Sequence, residues 1–379
     1  MCTDGCRSLH LLCTRAFGLH EVDHALCVQA PVRTARPSMS ASSPDAAPVI
    51  DVHAHLVPER AFERVPAGMR AERVEGPDEI RLVVHGPRGA GRGAPPELRD
   101  LELHRRRQER RGIGLSLLGP WVDMVKAPDE ARLQQAWCRV LNEELAAATG
   151  PTDHSRWLAA LPDLDGARAG QELEWAAAAG AVGGMLAANP EHGTLARGDL
   201  EWLWRAAERL RLPLVLHPGD FEPPPRLAEH FMVNLVGNPF ETTLAAGSLL
   251  AAGVPERHPD LEVVLVHGGG FLPYQYARMA AGFERWPRPR ELQRRSPAGL
   301  LRWFHYDTVL FADPPTRYLL ELVGDDRVMA GSDCPFTMTD TRPFEAPERL
   351  GLDQAGRDRV LGGNAARLFR LHEPAGAER

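Results

Sequence analysis

Eight short apolar runs, separated by longer polar or helix-patterned stretches, constrain the fold of this chain more than any other feature of its sequence. They read VIDVHAH from Val49, GIGLSLLG from Gly112, RWLAALPDL from Arg156, AVGGMLA from Ala181, LPLVLHPGD from Leu212, LEVVLVHGGG from Leu261, WFHYDTVLF from Trp303 and DRVMAGSDCPF from Asp326. Between them, Ala131 to Ala148, Ala167 to Ala179, Leu200 to Leu210, Glu241 to Ala252 and Pro315 to Leu322 are expected to be helices. Short apolar strands alternating with helices are the pattern of a parallel sheet, in which each strand needs a crossover before the next can pair. Eight such units predict an α/β chain folded as a (β/α)8 TIM barrel. The stretch from Leu56 to Arg111 is too long for one crossover and is rich in Gly, Pro and Arg. It is expected to be an insertion after the first strand that partly covers the barrel mouth.

A chain of 379 residues can form one large core or two smaller ones, so the repeat of eight decides for one. Residues 1–45 show neither sustained periodicity nor the apolar core of a signal peptide, and are expected to be a disordered extension, or untranslated if Met39 is the true start. Residues 46–379 would then be the barrel domain. A net charge of −7 gives no footprint for nucleic acid, and the cluster Arg105, Arg106, Arg107, Arg110 and Arg111 reads as a solvated helix face. No run of eighteen apolar residues is present, so no membrane partner is expected. Four of the six cysteines fall in the first thirty residues, which leaves Cys138 and Cys334 and no disulfide framework; the expected compartment is the cytoplasm.

Chemistry concentrates at the strand ends. Residues two apart on a strand face the same side, so His53 and His55 point together, and in a barrel that direction is inward. Barrels of this class place their active sites at the C-terminal ends of the strands. A single strand histidine is ordinarily a packed core residue, but here His217, His267 and Asp333 recur at equivalent strand ends. Five such groups would meet at one point. Imidazole nitrogen with carboxylate oxygen suits Zn2+, Mn2+ or Fe2+ better than Ca2+ or Mg2+.

These motifs resemble the amidohydrolase superfamily, and within it the branch of metal-dependent decarboxylases typified by aminocarboxymuconate-semialdehyde decarboxylase. The resemblance spans Val49 to Leu371 and is closest in VNLVGNPFETTLAAGSLLAAGVPERHPDLEVVLVHGGGFLPYQYARMAAGFE, DRVMAGSDCPF and LGGNAARLF. It implies that His53, His55, His217 and Asp333 bind one divalent ion per chain, zinc first, with Mn2+ or Fe2+ as alternatives. It also implies that His267 is the general acid/base beside a metal-bound water, with Asp333 as ligand and secondary proton handler. Two-metal members of the superfamily bridge their ions with a carboxylated lysine at the end of the fourth strand. Here that strand reads AVGGMLAANP, and the chain's single lysine, Lys126, lies elsewhere and reads as a surface residue, so one ion is expected. The family further implies a homodimer in which Arg278 enters the neighbouring subunit's site to bind a substrate carboxylate. A second family arginine precedes the second barrel strand, where spacing favours Arg92 over Arg88 and Arg99.

The chain departs from the family where substrate would lie. Pro218, Gly219 and Asp220 stand for Pro-Trp-Asp, and Val233, Asn234, Leu235 and Val236 for Pro-Trp-Leu-Val, so two ring faces are lost and Asn234 becomes a candidate substrate contact. Trp121 stands where it would either replace some of that aromatic surface or pack in the core, Phe336 is expected to pack the eighth loop, and Asp51 and Glu241 are candidate partners for the ligating imidazoles. The expected activity is loss of CO2 from an aromatic or unsaturated carboxylic acid, a small-molecule substrate. A hydrolase or hydratase of the same superfamily is the alternative, since fold does not settle the reaction. A binding protein that merely kept the barrel would show a broken set of ligands, and none is missing.

Overall fold

Each of the eight apolar runs folds as a strand of one parallel sheet. The computed structural model describes residues 48–76, 80–86, 91–150, 154–221 and 224–371. In chain order the strands are β1 (Ile50–His55), β2 (Arg70–Glu75), β3 (Ile80–His85), β4 (Gly91–Ala94), β5 (Leu115–Gly119) and β6 (Ser155–Ala160). They continue with β7 (Gly183–Ala187), β8 (Leu214–His217), β9 (Val263–Leu265), β10 (Phe304–Asp307) and β11 (Val328–Met329). The large sheet runs β1-β5-β6-β7-β8-β9-β10-β11, every pair parallel. It is joined end to end by backbone bonds between β1 and the chain around and beyond β11. Val52 N donates to Ala330 O at 3.0 Å, Asp333 N to His53 O at 2.8 Å and His55 N to Cys334 O at 2.8 Å.

Both faces of this sheet are buried, which is why its strands are apolar runs rather than alternations. One apolar cluster includes Ile50, Val52, Leu117, Met185, Val215, Val264 and Met329. A larger one joins other strand residues, Leu118, Leu186, Leu216 and Leu265 among them, to helix residues such as Leu173, Leu203 and Leu249. Each fully buried side chain of this size contributes about 1.5–3 kcal/mol.

The longer helices are α1 (Leu101–Arg111), α2 (Ala131–Thr149), α3 (Gly166–Ala178), α4 (Glu201–Leu210), α5 (Asn238–Ala251), α6 (Leu272–Arg285) and α7 (Asp313–Val323). Asp100 caps α1 by accepting from Leu103 N at 2.9 Å, and Asp165 caps α3. Along α1, Arg105, Arg106 and Arg110 are exposed while Arg107 and Arg111 are half-buried, so only part of that arginine cluster is a solvated face. The insertion after β1 holds an antiparallel sheet β2-β3-β4. Val84 and Ala94 of that sheet pack with Val57 and Phe62 onto Met124, Val125 and Trp137, in and beyond the segment that follows β5.

Contacts divide the chain into two compact units, Met1–Ala46 with Glu222–Asn238 and Ala47–Phe221 with Pro239–Arg379. The barrel is the second. In the first, residues 224–238 contain a 3-10 turn, Pro225–Leu227, and a π-helical turn, Val233–Gly237. The expected extension 1–45 lies outside the described residues. Among those that are described, Cys138 and Cys334 are buried free thiols, and no helix is long and apolar enough to cross a membrane.

Candidate metal centre and active site

The strand-end residues meet. His53 and His55 lie on β1, His217 closes β8, His267 follows β9, and Asp333 follows β11. The His53 ring lies 5.1 Å from His55, 5.0 Å from His217 and 5.3 Å from His267, centroid to centroid. Asp333 Oδ1 is 3.2 Å from Nε2 of both His53 and His55 and 4.0 Å from His217 Nε2, while Oδ2 is 3.5 Å from His267 Nε2.

Three of the four imidazoles are held from behind. His53 Nδ1 lies 2.6 Å from Asp307 Oδ2, His55 Nδ1 3.0 Å from Pro120 O, and His217 Nδ1 2.6 Å from Pro218 O. Each acceptor requires a proton on Nδ1, so the Nε2 lone pair of each ring is free to face the centre. His217 Nε2 and Asp333 Oδ1 are buried without a hydrogen-bond partner. Leaving such atoms unpaired costs about 1–3 kcal/mol apiece, and a divalent cation among them removes that cost. His267 differs, because its buried Nδ1 has no anchor at all. By distance alone His267 qualifies as a ligand, since one donor atom each of His53, His217, His267 and Asp333 lies within 4.8 Å of the others. The anchors favour His55 instead: its Nε2 is 3.1 Å from His53 Nε2 and its ring is fixed, as a ligand's must be.

Without a cation the centre gathers a proton. Burial disfavours charge on His53, but the charge of Asp333 and the hydrogen bond and charge of Asp307 outweigh it and push its pKa up to about 10. Burial drives His217 down to about 3 and also lowers His55. Burial alone would raise Asp333, yet the His53 charge and the surrounding imidazoles of His217 and His267 hold it well below the usual carboxylate range. A metal would therefore enter by displacing a proton, since ligating imidazoles are neutral.

His267 and Asp333 both adopt left-handed backbone, φ 54° and 59°. Such geometry in a non-glycine residue costs about 1–3 kcal/mol and persists only where its surroundings enforce it. After His267, Gly268 N donates to Asp307 Oδ1 at 2.8 Å. A Cβ on Gly270 would fall 2.2 Å from Pro239 O, and one on Gly269 2.7 Å from the Tyr306 ring. Asp333 is held by its own N–H on His53 O and by Thr339 Oγ1 donating to its carbonyl at 3.1 Å.

Asp307 is the residue that sequence reasoning missed. It ends β10 as the others end their strands, and that position was the available signal. Oδ2 orients His53, and Oδ1 also accepts from Val309 N at 3.1 Å. Asp307→Asn should fold but bind its divalent ion about 10–100-fold more weakly, the usual effect of altering a ligand's outer partner. Competition with a chelator measures this, and wild-type affinity would show that Asp307 does not orient the ligand.

Other expectations need correction. Asp51 is no partner of an imidazole. Its carboxylate accepts from Ser332 Oγ at 2.6 Å, from Ser332 N at 3.0 Å and from the His53 backbone at 3.2 Å, and burial pushes its pKa up to about 6. Glu241, half-buried, bonds no imidazole among the described residues, and burial raises its pKa against the opposing charge of Lys126. Lys126 is not a surface residue: it is half-buried, with Nζ donating to Asn189 O at 2.8 Å.

The candidate substrate residues are placed as follows. Phe336 contacts His55 with ring centroids 5.0 Å apart and planes tilted by 53°, and Trp121 contacts Phe336 at 5.9 Å and 57°. Arg278 is exposed on α6, with no hydrogen bond or ion pair among the described residues. Arg92 lies on β4, paired in register with Val84. Arg99 is committed elsewhere, to Ile80 O and Glu59, and Arg88 lies outside the described residues. Asn234 lies on the π-helical turn of the smaller unit.

Known proteins resemble this chain in sequence and in fold. The chain is 28% identical over 171 residues to 2-amino-3-carboxymuconate-6-semialdehyde decarboxylase of Dictyostelium discoideum, covering 45% of this chain and 48% of that one. It thus spans about half the length of that relative. It is 27% identical over 305 residues to a gamma-resorcylate decarboxylase of Polaromonas, covering 73% of this chain and 91% of that one. The crystal structure of a Polaromonas dihydroxybenzoic acid decarboxylase with bound manganese and 2-nitroresorcinol superposes with a TM-score of 0.68. That match covers 86% of this chain and 98% of that one at 21% identity, so it is a likeness of fold. The family profile described as Amidohydrolase matches residues 50–371, nearly the whole of the barrel, and the chain belongs to that family.

Proposed function

We propose that this chain is a metal-dependent carboxy-lyase acting on an aromatic or unsaturated carboxylic acid, with His53, His55, His217 and Asp333 holding one divalent ion. The observation that carries the reading is the set of three imidazoles anchored through Nδ1, each with Nε2 free toward Asp333. Two nitrogens or more with a carboxylate oxygen suit zinc, our first assignment, and also manganese, which the Polaromonas enzyme holds. When bound, the ion supplies Lewis acidity and a fixed point for a substrate oxygen.

The chain's own residues do the rest. His267 is the proton carrier, because its ring is beside Asp333 but unanchored and so can change protonation state without breaking a structural bond. The proton it delivers goes to the carbon that bears the carboxylate, and the electron pair of the broken carbon–carbon bond stays on that carbon as CO2 leaves. Trp121 and Phe336, their rings tilted by 57° to each other, offer apolar aromatic surface to a conjugated ring. Arg278 supplies a substrate-carboxylate cation to a second copy of the chain. Tyr274, one turn before it on α6, and Phe271 at the start of that helix are exposed, as a face covered by that copy would be. The unpaired thiols of Cys138 and Cys334 support a cytoplasmic setting.

The test is CO2 release by metal-loaded protein from hydroxybenzoates, anthranilate-derived acids and muconates. At least one acid should be decarboxylated, and chelation should abolish it. Hydrolysis of lactones or esters without CO2 release would replace this reading with the hydrolase one. The same assay tests the dimer: inactive Arg278→Ala mixed with inactive His267→Ala should regain at most about a quarter of wild-type activity, since half of randomly paired dimers carry one intact site. No regain after demonstrated subunit exchange would confine Arg278 to its own chain.

A further inference from the structure

His217 is anchored differently from the other two tied imidazoles. Asp307 and Pro120 hold His53 and His55 from distant parts of the chain, whereas Nδ1 of His217 bonds the carbonyl of its own neighbour, Pro218, at 2.6 Å. An acceptor one residue away fixes a ring only if that carbonyl is itself fixed. Strand pairing does not fix it: Ala188 N donates to His217 O at 2.9 Å, and the register of β8 with both its neighbours ends by His217. Beyond lie Pro218, which has no N–H, and Gly219, whose backbone is freer than that of any other residue type. Packing favours glycine there, since a Cβ would fall 2.7 Å from Val122 Cγ1 and 2.9 Å from Lys126 Cδ. The Pro218–Gly219 peptide could therefore turn over unless something outside the loop held it.

Asn189 is that hold. It lies just beyond β7, two residues after Ala187, which pairs in register with His217. Its buried side-chain amide accepts from Gly219 N and donates to Gly219 O, each at 2.8 Å. Gly219 N and Pro218 O belong to one planar peptide unit, so tying the N–H to Asn189 Oδ1 sets the direction of the carbonyl. The next peptide is pinned at both ends, Gly219 O by Asn189 Nδ2 and Asp220 N by Asp123 Oδ1, the latter at 2.8 Å. The Asn189 carbonyl in turn accepts from Lys126 Nζ at 2.8 Å. A line of short bonds thus runs from Lys126 through Asn189 and the Pro218–Gly219 peptide to the imidazole. Such a clamp can be purely structural, and Asn142 shows it. Asn142 grips Ala160, the last residue of β6, in the same two-pronged way, at 2.7 Å from Ala160 N and 3.0 Å to Ala160 O. The difference is that the peptide held by Asn189 carries the acceptor of a ring in the metal centre.

We propose that Asn189 is a positioning residue for the metal centre: by holding the Pro218–Gly219 peptide it sets the rotation of the His217 imidazole and aims Nε2 at the ion. The inference rests on the ligand role proposed for His217.

The experiment uses the full-length, zinc-loaded protein with isotope-labelled histidine nitrogens. NMR reads the hydrogen-bonded Nδ1 protons, and competition with a chelator reads zinc affinity. Asn189→Ala should bind zinc about 10–100-fold more weakly, the usual effect of losing a ligand's outer partner. Its His217 Nδ1 proton, assigned by absence from His217→Ala, should shift or exchange away while those of His53 and His55 stay in place. Asn189→Asp keeps an acceptor for Gly219 N, so it should keep the His217 signal and wild-type affinity. Asn142→Ala loses the matching clamp on β6 and should change neither affinity nor any of these signals. A wild-type spectrum and affinity in Asn189→Ala, equal weakening in Asn142→Ala, or loss of the His217 signal in Asn189→Asp each overturns the proposal. Wild-type affinity in His217→Ala would remove His217 from the ligand set and this inference with it. An ion lost from His217→Ala but held normally by Asn189→Ala overturns this inference alone.

Discussion

His53→Ala and Asp333→Ala are each expected to give folded protein that has lost its ion and its activity together. Asp333 Oδ1 lies 3.2 Å from two imidazole nitrogens and 4.0 Å from a third, so its removal takes away the one carboxylate that the described residues place in this cluster. His53 is the ring on which most contacts converge, with Nε2 near His55 and Asp333 and Nδ1 on Asp307. Wild type should carry about one ion per chain, the stoichiometry of a single three-nitrogen, one-oxygen site. Elemental analysis after dialysis decides the matter. Stoichiometric metal retained in both variants would remove these residues from the site, and two tightly held ions in wild type would contradict a mononuclear centre.

His267→Ala should behave oppositely, keeping the ion while turnover falls by on the order of a hundredfold or more, the usual loss when a general acid/base is deleted. The variant is informative because distance alone does not separate His267 from the ligands. What separates them is the free Nδ1, against three Nδ1 atoms that are tied. Metal content beside steady-state rates makes the distinction, and loss of the ion would move His267 into the ligand set.

The barrel was legible because its signal is periodic and local: every apolar run named from the sequence contains a strand of the closed sheet. The strand-end histidines were legible for the same reason. Asp307 was not, because its aspartate sits within WFHYDTVLF and reads as an interruption of a core strand. Only folding brings it to His53, 254 residues away. Lys126 was misread because burial of a loop residue depends on what packs over it, here the Gly219 loop contributed by a different strand. The strands of the insertion were invisible for another reason: β2, RAERVE, is largely exposed and has no apolar face to announce it.

Asp307 carries two obligations at once. One oxygen bonds the His53 ring, and the other bonds the first glycine after His267, so a single carboxylate positions both the proposed ligand and the proposed proton carrier. A change at position 307 cannot be repaired by one compensating change elsewhere, since the two clients lie on different strands and need different acceptors. On the proposed roles, a substitution at Asp307 disturbs ion binding and proton transfer together.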